Sequence, residues 1–208
     1  MDNRLITFEG IDGSGKSTQI KLLNQWFESL GLNVTNIREP GGGNVSETIR
    51  SILLDASNSI NSFSETLLFL ASRAQLVDEI IIPALKEDQF VICDRFIDST
   101  VVYQGYGRNL GVELIDKINF IATQGIVPEL TIYIDVNVDL SINRRIVADN
   151  DRMESGGKEF LLNVKKGYDD MANLYPDRIV VIDGDDSIES IQNNIRNVIK
   201  DKFRGLLC

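Results

Sequence analysis

Histidine is absent from the 208-residue chain. Mechanisms that need an imidazole base are therefore excluded, whereas phosphoryl transfer loses little, because it depends mainly on positioning and charge neutralisation. Cysteine occurs only at Cys93, inside the apolar run "FVICD", and at Cys208. That is too few for a disulfide framework, and Cys93 is expected simply to pack. No stretch approaches the ~18 apolar residues that span a bilayer. The opening "MDNRLITF" enters a strand without the charged-then-apolar build of a signal peptide, so a cytoplasmic protein without a membrane partner is expected. Basic charge is also scarce: 21 Lys and Arg against 31 Asp and Glu give a net charge of −10. Broad electrostatic binding to nucleic acid does not suit that balance, so an anionic ligand must be caught locally by individual arginines. There is no internal repeat, low-complexity tract or Pro/Ser-rich linker, and a single domain over residues 1–208 is the simplest organisation.

The chain is 43% hydrophobic, enough to bury one substantial core. Strand-like apolar runs recur at Leu5–Phe8, Val34–Ile37, Phe90–Cys93, Leu130–Ile134 and Ile179–Ile182, with helical stretches between them. This alternation predicts an α/β fold with a five-stranded parallel sheet flanked by helices. Ser62-x-x-Glu65 reads as a capping box at one helix start, and Gly31 as a stop after Leu30.

Directly after the first run stands "FEGIDGSGKSTQ". Gly10, Gly13 and Gly15 allow the backbone to curl so that successive N–H groups share one concavity, which binds anions. The spacing Gly10-x-x-x-x-Gly15-Lys16-Ser17 matches the P-loop. In that pattern backbone amides cradle phosphates, the lysine reaches the β/γ-phosphates and the hydroxyl ligates Mg²⁺. Ile20, Leu22, Leu23, Trp26, Phe27 and Leu30 follow at helical spacing, so a helix N-terminus faces the phosphates. Gly10, Asp12, Gly13, Ser14, Gly15, Lys16, Ser17 and Thr18 are thus the candidate nucleotide-binding residues.

Three further constellations stand out. In "VICDRFIDSTVVYQGYGR" a strand ends in Asp94-Arg95, and strand ends in parallel sheets face the ligand crevice. Asp94 suits Mg²⁺ and Arg95 a second phosphate group. In "LLFLASRAQ" Phe69 and Arg73 lie four apart on one helical face, where a ring and a guanidinium could stack on a base and hydrogen-bond its edge. In "NRRIVADNDRMESGGKEF" charges crowd together and Gly156-Gly157 breaks the helical pattern. A solvated surface loop reads the same way, but Arg144, Arg145 and Arg152 suit a short mobile lid, about residues 143–157, that carries guanidinium groups to a transferring phosphoryl.

These pieces together resemble the thymidylate kinase family, nucleoside monophosphate kinases that make dTDP from dTMP and ATP. The resemblance runs through "FEGIDGSGKSTQ", "REPGG", "ETIRSILL", "LLFLASR", "DRFIDSTVVYQG", "PELTIYIDV" and "DRME", and so through nearly the whole chain. It implies a three-layer P-loop kinase fold, ATP and Mg²⁺ as cofactors, dTMP as acceptor and a homodimer. By the same resemblance Lys16 and the loop amides hold ATP phosphates, Ser17 and Asp94 the Mg²⁺, and Asp12 lies close to acceptor and metal. Arg38, Arg50 and Arg95 match arginines around the dTMP phosphate. Phe69 matches the ring that stacks on thymine, Arg73 the donor to its O4 edge, and Ser99, Thr100 and Gln104 lie in the block that meets the nucleotide, the latter two as polar partners of the base. Tyr103 matches the residue that crowds the 2′ position. Some members carry an arginine inside the P-loop where this chain has Gly13, so the lid, through Arg145 or Arg152, is expected to supply the missing charge.

On this reading Arg73, which only donates, accepts thymine and rejects cytosine, whose amino group also donates. Other classes fit less well. A GTPase switch lacks its guanine motif, a motor or nucleic-acid ATPase lacks a basic partner surface, and a dead module would have lost Lys16, Asp94 or Arg95. The runner-up is a kinase of the same fold acting on another nucleoside monophosphate.

Overall fold

The computed structural model describes residues 3–145 and 157–206. Five parallel strands, β1 (Leu5–Glu9), β2 (Val34–Arg38), β3 (Phe90–Asp94), β4 (Leu130–Asp135) and β5 (Ile179–Asp183), form one sheet in the order β2-β3-β1-β4-β5. The central strands β3, β1 and β4 are nearly continuous apolar runs because both of their faces are covered, whereas the edge strands β2 and β5 are partly exposed. Along β3, Phe90 and Ile92 enter one core with Ile6, Phe8, Ile132 and Ile134, whereas Val91 and Cys93 enter the other with Leu5 and Ile37. Each such side chain contributes about 1.5–3 kcal/mol of hydrophobic burial. Cys93 is free and buried, as expected.

The helices form the outer layers of an α/β sandwich. They are α1 (Lys16–Ser29), α2 (Asn44–Leu54), α3 (Ser62–Leu76), α4 (Ile82–Lys86), α5 (Ile97–Thr100), α6 (Val112–Ala122), α7 (Val138–Arg145), α8 (Gly157–Leu174) and α9 (Ile188–Lys202). A π-helical turn at Val77–Ile81 joins α3 to α4, and a second π segment, Val101–Gly107, continues α5. Gly31 follows the last turn of α1 in the left-handed region, as predicted.

Two expectations need correction. The cap of α3 is Asn61, whose side chain accepts from the N–H groups of Phe63 and Ser64, while Ser62 is the first helical residue and Glu65 turns inward. On α1 the buried stripe is narrower than its apolar pattern: Leu23 and Phe27 are buried but Leu30 is exposed.

The register brings the strand ends level, Phe8 and Arg38 both opposite Asp94, and Asp135 opposite Asp183. Every strand closes on a charged residue: Glu9, Arg38, Asp94, Asp135 and Asp183. Apolar strands thus deliver a charged rim along one edge of the sheet, the edge where open α/β folds bind ligands.

Candidate active site

The loop after β1 curls as its glycines demand. Gly10 adopts φ +138 and a Cβ there would stand 2.5 Å from the Ile134 carbonyl oxygen, so only glycine lets the loop pass β4 this closely. Gly15, at φ +95, caps α1 and turns the first N–H groups of that helix toward the concavity. Ser14 is buried, and its Oγ has no hydrogen-bond partner among the described residues. Lys16, also buried, donates from Nζ to the carbonyls of Gly10 (2.9 Å) and Ile11 (3.2 Å), with the Asp12 carboxylate 3.9 Å away. Burial, followed by the charge of Arg95, pushes its ammonium down to about 8. Ser17 and Thr18 are exposed on the first turn of α1, and Ser17 Oγ donates to Asp94 Oδ2 at 3.2 Å. The two groups expected to share a cation are therefore neighbours.

Arg95 is the hub of the adjoining wall. Its backbone is left-handed, φ +70, a conformation that costs a β-carbon residue about 1–2 kcal/mol. From there Nη2 reaches Asp12 Oδ1 and, at 3.3 Å, the Tyr103 hydroxyl, while Nη1 donates to Ser99 Oγ (3.1 Å) and Tyr168 OH (3.3 Å). The guanidinium also lies 5.1 Å from the centre of the Tyr103 ring. Beneath it Glu9, fully buried, accepts from Phe96 N–H (2.8 Å), Ser99 Oγ (2.6 Å) and Tyr168 OH (2.9 Å). Burial and then the charge of Asp98 raise the Glu9 carboxyl to about 7, against the pull of Arg95 and of the Ser99 and Phe96 donors.

One face of α3 meets this wall. Glu65, Phe69 and Arg73 succeed one another at four-residue spacing and so share that face. Phe69 is half-buried against the core. Gln104 donates from Nε2 to Glu65 Oε1 at 3.0 Å, and Arg108 approaches the same carboxylate from Nε (3.2 Å) and Nη2 (3.4 Å).

Arg73 is held by the protein on every side. It is only 1% exposed, and each of its N–H groups has a protein partner: Nε and Nη2 on Glu39, Nη1 on Thr100 Oγ1 (2.8 Å) and Asn119 Oδ1 (2.5 Å), and Nη2 also on the Phe96 carbonyl (3.0 Å). The Phe96 ring lies 5.2 Å from the guanidinium. An arginine has five N–H donors, and here they hold a buried carboxylate, two side chains and one backbone carbonyl.

The remaining predicted residues fall on the rim. Arg38 donates to both Glu47 oxygens (3.1 and 3.3 Å), and Arg38 and Arg50 both donate to the Pro40 carbonyl (3.3 and 2.8 Å). Of the lid arginines, Arg152 and most of the segment lie outside the described residues, as does the side chain of Arg145. Arg144 at the end of α7 donates to the Gly13 carbonyl at 3.2 Å, and Ser141 Oγ donates to that of Asp12 at 2.6 Å. The foot of the expected lid thus rests on the P-loop. Sequence reasoning missed Glu9, Ser141 and Tyr168 and read Glu65 only as a helix-capping residue; Glu9 stood inside the quoted "FEG", and Ser141 and Tyr168 carried no local signal.

A phosphate-cradling loop at the carboxyl edge of a parallel sheet, with a Ser–Asp pair beside it and an arginine wall opposite, defines a P-loop kinase of the nucleoside monophosphate class. The family model for thymidylate kinase matches residues 8–195. The thymidylate kinase of Thermoanaerobacter sp. (strain X514) is 45% identical over 200 residues, covering 96% of this chain and 98% of that protein. That of Thermosipho africanus is 48% identical over 195 residues, covering 94% and 96%. The crystal structure of thymidylate kinase from Ehrlichia chaffeensis superposes with a TM-score of 0.78 at 38% identity, covering 94% of this chain and 97% of that one. The chain belongs to the thymidylate kinase family.

Proposed function

We propose that this enzyme transfers the γ-phosphoryl group of ATP to dTMP, giving dTDP, in one in-line step. The observation that carries the reading is the Asp12–Arg95–Tyr103 junction, which joins the phosphate loop to the wall holding Ser99, Thr100 and Gln104 and so puts donor and acceptor chemistry in one crevice. The loop amides of residues 13–18 receive the ATP phosphates, and Lys16 exchanges the Gly10 and Ile11 carbonyls for phosphate oxygens.

The residues present fit Mg²⁺ held in the manner of a kinase. A hydroxyl and a carboxylate stand together at Ser17 and Asp94, and among the described residues no cluster of three or more carboxylate, cysteine or histidine side chains offers an all-protein cage. Bound there with ATP, the ion would neutralise charge on the phosphate oxygens.

On the acceptor side, Arg95 holds the dTMP phosphate near Asp12, with Arg38 and Arg50 at the rim, and Tyr103 closes the space beside the sugar. Phe69 stacks on the base. Thr100, whose Oγ1 accepts from Arg73, keeps its own proton for the O4 oxygen, which makes Arg73 a positioning residue. Arg145 and Arg152 bring transition-state charge. A homodimer completes the proposal, supported by exposed Phe63 and Leu67 on α3 and by Phe120 and Ile121 on α6, 65% and 74% exposed. Sedimentation velocity tests the assembly.

Initial rates with ATP, Mg²⁺ and a panel of dTMP, dUMP, dCMP, dAMP and dGMP test the activity. The expected result is strong preference for dTMP. A better rate with a purine or with dCMP refutes it.

A further inference from the structure

The π segment carries Gln104, buried, one turn beyond Thr100, and the side chain it bonds is Glu65. A primary amide can face a base in two ways, carbonyl forward or amino group forward, and the two read opposite hydrogen-bonding patterns. An ionised carboxylate only accepts, so a carboxylate behind the amide fixes which way it faces. Gln104 Nε2 donates to Glu65 Oε1 at 3.0 Å, and among the described residues Gln104 Oε1 accepts from none. Glu65 is fully buried, at the first turn of α3, and Arg108 holds it through Nε on the same Oε1 and Nη2 on Oε2 while lying 4.7 Å from the centre of the Phe160 ring. Three residues on three elements therefore commit one amide to a single orientation.

Resting on the proposed dTMP reading, we infer that Glu65 is a specificity-determining positioning residue: it fixes the Gln104 carbonyl toward the base, so that the site demands an N–H at the base's N3. Thymine carries that N–H, whereas cytosine carries a lone pair there. The Thr100 hydroxyl cannot make this distinction, because beyond the bond from Arg73 it has both a proton and a second lone pair to offer. Discrimination against cytosine at N3 thus resides in Glu65 and Gln104.

The test is kcat/KM for dTMP and dCMP on the wild type, Glu65→Gln, Gln104→Met and the double variant. Glutamine at position 65 can donate as well as accept, which frees Gln104 to turn its amino group forward. Glu65→Gln should lower the dTMP:dCMP ratio about tenfold or more, with dCMP use rising in absolute terms, which damage to the fold cannot produce. Gln104→Met should lower the ratio similarly, and the double variant should lose nothing further. If Gln104→Met collapses the ratio while Glu65→Gln leaves it unchanged, the inference fails and the dTMP reading stands. If Gln104→Met leaves the ratio unchanged, Gln104 does not read the base and that part of the reading fails as well. Should Glu65→Gln not fold, the wild-type side-chain amide of Gln104 decides by NMR with dTMP bound: one proton slowed in solvent exchange and coupled to the Glu65 carboxylate supports the inference, and two freely exchanging protons overturn it.

Discussion

Replacing Arg73 by alanine should damage the fold before it alters base choice. The substitution removes five donated hydrogen bonds and leaves Glu39, 6% exposed, without its counter-charge; Glu39 Oε1 already has no hydrogen-bond partner among the described residues. Removing one member of a buried ion pair costs about 3–5 kcal/mol. Against a total stability of about 5–15 kcal/mol, that is a large fraction. For a chain of this size each kcal/mol moves Tm by about 2–4 °C, so the loss should be roughly 6–20 °C.

The pH dependence separates this account from simple cavity formation. Burial raises the Glu39 carboxyl and Arg73 opposes the rise, so its removal raises that carboxyl further. A carboxyl raised on folding is accommodated in its neutral form at low pH and weakens the fold as pH climbs through the folded value, so the deficit relative to wild type should shrink at pH 5 and grow at pH 7. Thermal denaturation of both proteins at the two pH values measures it, and Glu39→Gln in the Arg73→Ala background should recover part of the loss. A deficit below about 1 kcal/mol, or one equal at both pH values, refutes the reasoning.

Lys16→Ala should abolish transfer with an unchanged circular dichroism spectrum, because among the described residues the side chain meets only the loop's own carbonyls and Asp12; activity within tenfold of wild type would remove the P-loop from the mechanism. The same ammonium, pushed down to about 8, should make the KM for ATP climb above that pH, approaching tenfold per unit, since only the charged form attracts phosphate; a flat profile to pH 9.5 would contradict it. Arg145→Ala or Arg152→Ala should lower kcat more than the KM for dTMP, by about 10³-fold for the arginine that meets the transition state; undiminished turnover after replacing Arg144, Arg145 and Arg152 together would reduce the segment to a solvated loop. Glu9→Gln should remove the decline in stability that a carboxyl raised from 4.5 to about 7 imposes across that interval as pH rises, and parallel wild-type and variant curves there would exclude Glu9 as its source.

The sheet was legible because buried parallel strands are apolar runs, and the predicted stretches fall short mainly by the polar residue that closes each strand. Three of those closing residues, Glu9, Arg38 and Asp94, are among those that build the crevice. The P-loop was equally legible, since its chemistry is local and its glycines are required by backbone geometry. The buried carboxylates were not. Glu65, three residues after a serine, carries the pattern of a helix cap, and only its meeting with Gln104 and Arg108, 39 and 43 positions away, gives it another use. Arg73 was half legible for the same reason: its helical face was readable, but its bonds to Glu39, Thr100 and Asn119 were not.

The two bonds from Lys16 to the Gly10 and Ile11 carbonyls make nucleotide capture a displacement. An incoming anion must outbid two carbonyl dipoles for an ammonium that already has two of its three donors engaged. A singly charged ion such as chloride gains little by the exchange, whereas a triphosphate, supplying several oxygens and several charges at once, gains on every contact. The loop thereby selects for valence before shape is tested, and when a phosphate chain departs, the lysine has its own backbone to return to.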